Sequence, residues 1–303
     1  MIKRVILTVL VLFLLTACFG PAPQEEAGRD VSLEFTKFPD YDIYEFTPFQ
    51  IGVKITNDVP QDVNGYLCLN DLAPNHYGGI PSTGNCQSVY IPAAQFLSDN
   101  ELHSEEVEFY FPSTGITYEY SNIPDEFIST ETIFAKLNYE VTTISQAQIC
   151  IIDPFLEQSI QDLPCKASEL LSDVQQSDMP IEVLKIEPHI LPTQGNMAQI
   201  MLKIYVGIVE EGYLIDYKNL AEGKPSKSAG VDTIVSIGGH TVMECKPLEN
   251  GKLMFGTKDE RVITCITTTP ILEEAYTDVV LIQFHYGFQK EIHNSLTLNK
   301  EVI

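Results

Sequence analysis

The sequence predicts an all-β protein built as two β-sandwiches in series, 31–178 and 179–303, and three observations predict it. Apolar and polar residues alternate with a two-residue period in one stretch after another, which places one set of side chains on each face of a strand. Turn-rich segments such as 70–85 and Pro112-Ser113-Thr114-Gly115 separate those stretches. Almost no helical spacing lies between them, so few parallel crossovers are available.

In the first half, Val31, Leu33 and Phe35 alternate with Ser32, Glu34 and Thr36, and Phe49, Ile51, Val53 and Ile55 alternate with Gln50, Gly52, Lys54 and Thr56. Leu137, Tyr139 and Val141 oppose Asn138, Glu140 and Thr142, and the apolar run 149–152 follows. The stretch 153–180 loses the alternation. It holds one short helix, predicted over 167–175, where Glu169, Leu170, Leu171 and Val174 fall at helical spacing. Ser177-Asp178-Met179-Pro180 closes it, and the domain boundary is placed there. In the second half Ile181 and Val183 flank Glu182, and Ile200, Leu202, Ile204 and Val206 alternate with Met201, Lys203 and Tyr205. Further strands are expected at 212–217, 233–237, 261–266 and 277–286, and 222–230 has the composition of an exposed connector.

The 303 residues carry 18 Lys+Arg against 42 Asp+Glu, a net charge of −24. With 44% hydrophobic residues the chain has enough apolar surface to fold, so wholesale disorder is excluded. The acidic balance excludes nucleic acid as a partner, because phosphate neutralisation needs clustered Lys and Arg.

The start has the layout of an export signal. Lys3 and Arg4 precede an apolar run from Val5 to Leu15 broken only by Thr8, too short to span a bilayer. Leu15-Thr16-Ala17-Cys18 resembles the lipobox of prokaryotic lipoproteins. That resemblance implies removal of 1–17, lipidation of Cys18 as the new N-terminus, and attachment to the membrane by a diacylglycerol-type anchor. Loss of Lys3 and Arg4 then leaves 16 basic against 42 acidic residues, a net charge of −26. Residues 18–30, with Gly20, Pro21, Pro23 and Gly28, read as the lipidated end and a flexible tether.

Beyond Cys18, six cysteines remain: Cys68, Cys86, Cys150, Cys165, Cys245 and Cys265. An even number in an exported chain reads as disulfides. The domain boundary isolates Cys245 with Cys265 and leaves three pairings for the other four. Neighbours are favoured, Cys68–Cys86 and Cys150–Cys165, because each closes a hairpin-sized loop. Zinc is disfavoured, since no Cys-x-x-Cys occurs and no two histidines stand at ligand spacing.

The segment 49–57, ending Val-x-Ile-x-Asn, followed by Gly65-Tyr66-Leu67-Cys68-Leu69, resembles two strands of the CARDB-type immunoglobulin-like domains of bacterial and archaeal surface proteins. It departs from that pattern at Asn57-Asp58-Val59-Pro60, where an Asn-Gly type of turn is usual. The resemblance covers about twenty residues, implies immunoglobulin-like sandwiches at the cell surface, and carries over no catalytic residue.

Catalytic chemistry finds little footing. There is no Gly-x-Ser-x-Gly elbow, and no serine beside a histidine has a strained-turn context. Asp40, Asp42 and Glu45 offer oxygens for calcium or for a glycosidase pair, against the alternative of a solvated acidic turn. Histidines 76, 103, 189, 240, 285 and 293 are scattered, and His285, between Phe284 and Tyr286 on an alternating strand, is expected to face water. Asn75, His76 and Tyr77 lie inside the Cys68–Cys86 loop and form a candidate recognition loop, with an ordered turn as the alternative. Tyr110, Tyr118 and Tyr120 make either a sugar-stacking strip or, as the alternation favours, a core face.

The expected function is therefore non-catalytic: a lipid-anchored, extracytoplasmic binding or structural module, an accessory subunit of an envelope assembly or adhesive layer. No cofactor is expected, with calcium as the alternative, and the expected partners are the membrane and envelope or surface proteins. A glycan- or solute-binding receptor is the alternative, and an envelope hydrolase comes third.

Overall fold

A computed structural model describes residues 30–39, 42–72, 77–81, 85–96, 102–113, 115–123, 129–155, 163, 165, 170–194, 197–221, 230–239, 241–271 and 273–300. Cys18 and the segments 1–17 and 18–29 therefore lie outside the described residues, as do Asp40, Asn75, His76 and His240.

Period-two burial fixes the strands. In chain order they are β1 (Val31–Lys37), β2 (Asp42–Tyr44), β3 (Ile51–Asn57), β4 (Val63–Asp71), β5 (Cys86–Ile91), β6 (Gln95–Phe96), β7 (Leu102–His103), β8 (Glu105–Phe111), β9 (Ser129–Ile152) and β10 (Gln175–Gln176). They continue as β11 (Ile181–Pro192), β12 (Met197–Ile208), β13 (Tyr213–Ile215), β14 (Gly230–Ile237), β15 (Thr241–Val242), β16 (Glu244–Lys246), β17 (Lys252–Met254), β18 (Glu260–Pro270) and β19 (Ala275–Asn299), with one 3₁₀ turn among the described residues, at Tyr217–Asn219. The fold is all-β, and its sheets are antiparallel except where β2 runs parallel to β19.

The sheet that organises the molecule has the order β15-β14-β19-β9-β4-β5. At its centre β9 and β19 pair rung by rung from Ile152↔Ala275 to Ser129↔Leu298. At ~3.4 Å per residue that ladder has a contour length of ~80 Å. One end of it is widened by β4 and β5 on the β9 side and by β2 on the β19 side. The other end is widened by β14, with β15 and β17, on the β19 side and by β10 on the β9 side. A three-stranded sheet, β1-β3-β8, approaches β19, and a four-stranded sheet, β11-β12-β18-β16, approaches β9. The apolar residues form one continuous cluster, from Val31 and Ile55 through Leu137 and Phe288 to Ile204 and Ile263. The 178/179 boundary falls between β10 and β11, and the β9–β19 ladder joins strands from both sides of it.

The helix expected over 167–175 is a correction. Residues 166–169 lie outside the described set; beyond them Leu171 forms an antiparallel bridge to Ile186, and Gln175 and Gln176 pair with Gln146 and Ser145 of β9. The open edges of β11 and β9 supply partners for this segment's backbone, and satisfying those groups outweighs a weak four-residue helical spacing. The Ser145 hydroxyl donates to Gln176 Oε1 at 3.1 Å, and the Val183 N–H donates to the same oxygen at 2.9 Å. The connector between the halves is thus stitched to the long ladder.

Candidate binding surface

Three disulfides staple the sheets: Cys68–Cys86, Cys150–Cys165 and Cys245–Cys265, with Cα separations of 4.1, 5.7 and 4.0 Å. The first and third join residues directly opposite one another, across β4/β5 and across β16/β18. Three such bonds place the protein in an oxidising, extracytoplasmic compartment. Among the described residues no helix is long and apolar enough to cross a membrane.

Within the Cys68–Cys86 loop, the described part is clamped to the segment 118–121. The Tyr77 carbonyl accepts the Ser121 N–H at 2.6 Å, Gly78 bridges Tyr120, and the Gly79 N–H donates to the Glu119 carbonyl at 2.9 Å. Ile80 is fully buried beside them. Tyr118 and Tyr120 are core residues: Tyr120 stacks on Phe49 at 5.3 Å and donates to Asp71 at 2.8 Å, and Tyr118 donates to Asn85 at 3.1 Å. Burial pushes the Tyr118 phenol up to about 12, and burial with the nearby Asp71 carboxylate raises Tyr120 further. Tyr110 alone of the three is exposed. The acidic-turn residues are engaged locally, Glu45 accepting the Ile123 N–H at 3.2 Å and Asp42 accepting from Asn299 at 3.4 Å. Among the described residues no group of three or more metal-ligating side chains converges.

A different cluster, unseen in the sequence, forms where the chain crosses the outer face of the long ladder. β13 pairs with Gly287–Gln289, the Asp216 side chain caps the 3₁₀ turn by accepting the Lys218 N–H at 3.1 Å, and the turn then lies across β19 and β9. Its Tyr217 ring packs on His285 of β19 with centroids 4.3 Å apart, and the Tyr217 hydroxyl donates to Asp232 of β14 at 2.8 Å. That bond to a carboxylate raises the phenol's pKa. His285 Nε2 is 2.5 Å from Glu140 Oε1 of β9. Lys252 of β17 lies 3.8 Å from Asp232 and 5.4 Å over the Tyr217 ring. Beneath the turn, a buried amide pair anchors it: Gln289 donates to Asn138 at 2.6 Å, and Asn138 donates to the Leu220 carbonyl at 3.0 Å. His285 is partly exposed, as the alternation of β19 predicts, but positions 140, 217, 232, 252 and 285 lie far apart in the chain and give no local signal that these side chains meet.

The outer face of the four-stranded sheet carries a second polar group. Lys185 Nζ sits 3.9 Å over the Tyr205 ring and 3.1 Å from Glu187, whose carboxyl that lysine holds below its ordinary value. An open cleft of about 730 Å³ lies beside it, lined by Tyr205, Lys258, Asp259, Glu260, Arg261 and Val262. Arg261 is spent within the protein, its guanidinium donating to the Met254 carbonyl at 2.7 Å and to the Phe255 carbonyl. Of the other histidines, His189 is exposed on β11, His103 is exposed with Nδ1 3.0 Å from the Ser104 carbonyl, and the His293 ring lies 5.6 Å from that of Phe134.

The chain matches no protein-family model and no curated protein. Among solved structures it matches the secreted serine protease VesC from Vibrio cholerae at a TM-score of 0.19 and 9% identity, over 88% of this chain and 51% of that one. The chain thus spans about half the length of the solved chain it matches, and a likeness this low carries no argument.

Proposed function

We propose that the protein is a non-catalytic, lipid-anchored module of the cell envelope, two immunoglobulin-like sandwiches joined through the β9–β19 ladder, which binds other macromolecules as part of a surface assembly. The observation that carries this reading is where the polar and aromatic groups sit. The Tyr217–His285–Asp232 cluster and the Lys185–Tyr205–Glu187 group both lie on outer sheet faces, and the cleft beside the latter is open. Broad faces on a scaffold stiffened by three disulfides match a macromolecular surface, whereas small solutes are held in enclosed pockets. The lipobox-like Leu15-Thr16-Ala17-Cys18 supplies the anchor.

The test is affinity purification of the intact protein from its native cells in mild detergent, with quantitative identification of what remains bound. Envelope proteins in stoichiometric amount are the expected result. Recovery of the protein alone counts against the assembly reading and moves the search to glycans and small solutes.

A further inference from the structure

Lys290 is the most enclosed of the ion-paired lysines among the described residues, its side chain 12% exposed against 27% or more for the rest. The fold brings two carboxylates to it from distant parts of the chain. Alternation along β19 turns Lys290 to the same inner face as Phe288. Glu210 reaches that face because the segment after β12 lies against β19: at Gly212, with φ +154°, a Cβ would stand 2.5 Å from Phe288 Cζ and 2.6 Å from the Gln289 carbonyl oxygen. Asp30 comes in at the start of β1, where its own carbonyl accepts the Asp58 N–H at 3.1 Å. Lys290 Nζ then lies 2.6 Å from Asp30 Oδ2 and 2.9 Å from Glu210 Oε2. The Glu210 side chain is 14% exposed, and its Oε2, although in ion-pair contact, accepts no hydrogen bond among the described residues.

We propose that Lys290 and Asp30 condense into a side-chain amide, with Glu210 as the proton carrier. The inference goes beyond the assembly reading and does not depend on it. A proton first passes from the Lys290 ammonium to the Asp30 carboxylate, giving an amine and an acid. The Nζ lone pair attacks Asp30 Cγ; Glu210 Oε2 takes one proton from the nitrogen and delivers it to the Cγ hydroxyl. The Cγ–O bond breaks, the carbonyl re-forms and one water leaves. One C–N bond has replaced one C–O bond, nothing is oxidised or reduced, and Glu210 ends the step as it began it. Proximity favours the step, because Nζ touches the oxygen bonded to the carbon it attacks, and well-oriented groups reach effective concentrations on the order of 10⁵ M or more. Desolvation favours it too: one ammonium between two carboxylates leaves uncompensated charge in an enclosed place, and condensation removes a charge of each sign. Lys54 also meets two carboxylates, Glu34 and Glu106, but all three side chains are at least 30% exposed and water keeps the ammonium solvated. The ion pair is the state that condenses, and it persists in every molecule until the bond forms. The bond ties the entry of β1 to the long ladder, so a pull on the chain before residue 30 reaches β19 directly instead of peeling β1 from β3.

The experiment is intact-mass spectrometry of the full-length protein from its native membranes, fresh and after prolonged storage, with the disulfides reduced and the chain unfolded. The expected result is a species lighter by one water than the processed chain requires, its share growing on storage. Trypsin then yields a peptide beginning at Asp30 joined to one that contains an uncut Lys290. Lys290→Arg keeps the cation but lacks a nucleophilic amine, and it is expected at full mass. Glu210→Gln is expected to lower the rate of linkage more than about tenfold, the scale of a lost general acid–base group, with an unchanged far-ultraviolet spectrum showing that it has folded. Wild-type protein at full mass after storage, or loss of water from Lys290→Arg as well, would overturn the proposal. Undiminished linkage in folded Glu210→Gln would overturn the part given to that carboxyl.

Discussion

The hydroxyl of Tyr286 accepts the backbone N–H of Ile181 at 3.1 Å, joining the long ladder to the first residue of β11. The same hydroxyl hydrogen-bonds the side chain of Thr143 at 3.1 Å, and all three groups are buried. Tyr139, on the neighbouring strand, is also buried, but its hydroxyl has no hydrogen-bond partner among the described residues. The two tyrosines therefore respond oppositely to loss of one oxygen. Tyr286→Phe strands the Ile181 N–H and costs about 1–3 kcal/mol, whereas Tyr139→Phe is neutral or stabilising, because it removes a buried polar atom that gains nothing from folding. Urea midpoints of the two variants decide it, and equal destabilisation would contradict this account of the seam.

The same seam explains what the sequence conceals. Val31 to Phe35, Ile51 to Ile55 and Ile200 to Val206 are legible because every inward position is apolar. In β9 the inward series Ile133, Ala135, Leu137, Tyr139 and Val141 continues as Thr143, Ser145 and Ala147 before Ile149 and Ile151 resume it. The polar residues face inward because they bond Tyr286 and Gln176. A 24-residue strand thus reads as an alternating stretch and a separate apolar run, broken where the halves meet. Its pairing with β19, more than a hundred residues away, leaves no periodic trace. The binding cluster is hidden for the same reason, since Tyr217 meets His285 only through tertiary structure, whereas the exposure of His285 itself follows from local alternation.

Lys290 is enclosed between two carboxylates, 2.6 Å from Asp30 and 2.9 Å from Glu210. Burial raises the Glu210 pKa above its usual 4.5, and Lys290 opposes that rise. A carboxyl whose folded pKa is raised binds its proton more tightly in the folded state, so stability increases as pH falls from the folded value toward 4.5. Lys290→Met removes the opposing cation and strengthens this dependence. The expected loss at pH 7 is about 1–3 kcal/mol, less than for a fully buried pair because Asp30 is partly exposed, and the deficit shrinks toward pH 4.5. Denaturant midpoints of wild type and variant at the two pH values test it, and a pH-independent gap would refute the role given to Glu210.

Alkaline titration probes the core tyrosines. Burial, the largest cause in each case, raises Tyr118 to about 12 and Tyr120, Tyr139 and Tyr286 further. A phenol with a raised folded pKa contributes stability that is present below its unfolded value of 10.0 and is lost as pH climbs toward the folded value. Absorbance at about 295 nm, the phenolate band, is expected to show these four of the 14 tyrosines ionising only as the fold is lost. Smooth ionisation of all of them with an unchanged far-ultraviolet spectrum would show that they are accessible.

Close approach of two backbones makes Gly65 of β4 the most sensitive small residue. A Cβ there would stand 2.0 Å from the Asn138 carbonyl oxygen and 2.8 Å from the Tyr139 Cα, both main-chain atoms that cannot swing aside. Relief requires β4 to move away from β9, which disturbs the Asn138–Gln289 pair and the Leu220 carbonyl that Asn138 holds. Gly239 makes the comparison: none of the described residues lies within 4 Å of its Cβ position, and its φ of +71° is what opposes a side chain. Gly239→Ala is expected to cost about 1–2 kcal/mol from the left-handed backbone. Gly65→Ala is expected to cost about 3 kcal/mol or more from overpacking and to expose Tyr217 to added quencher in fluorescence measurements. Matching losses for the two variants would mean that β4 and β9 are not as closely apposed as the Gly65 contact requires.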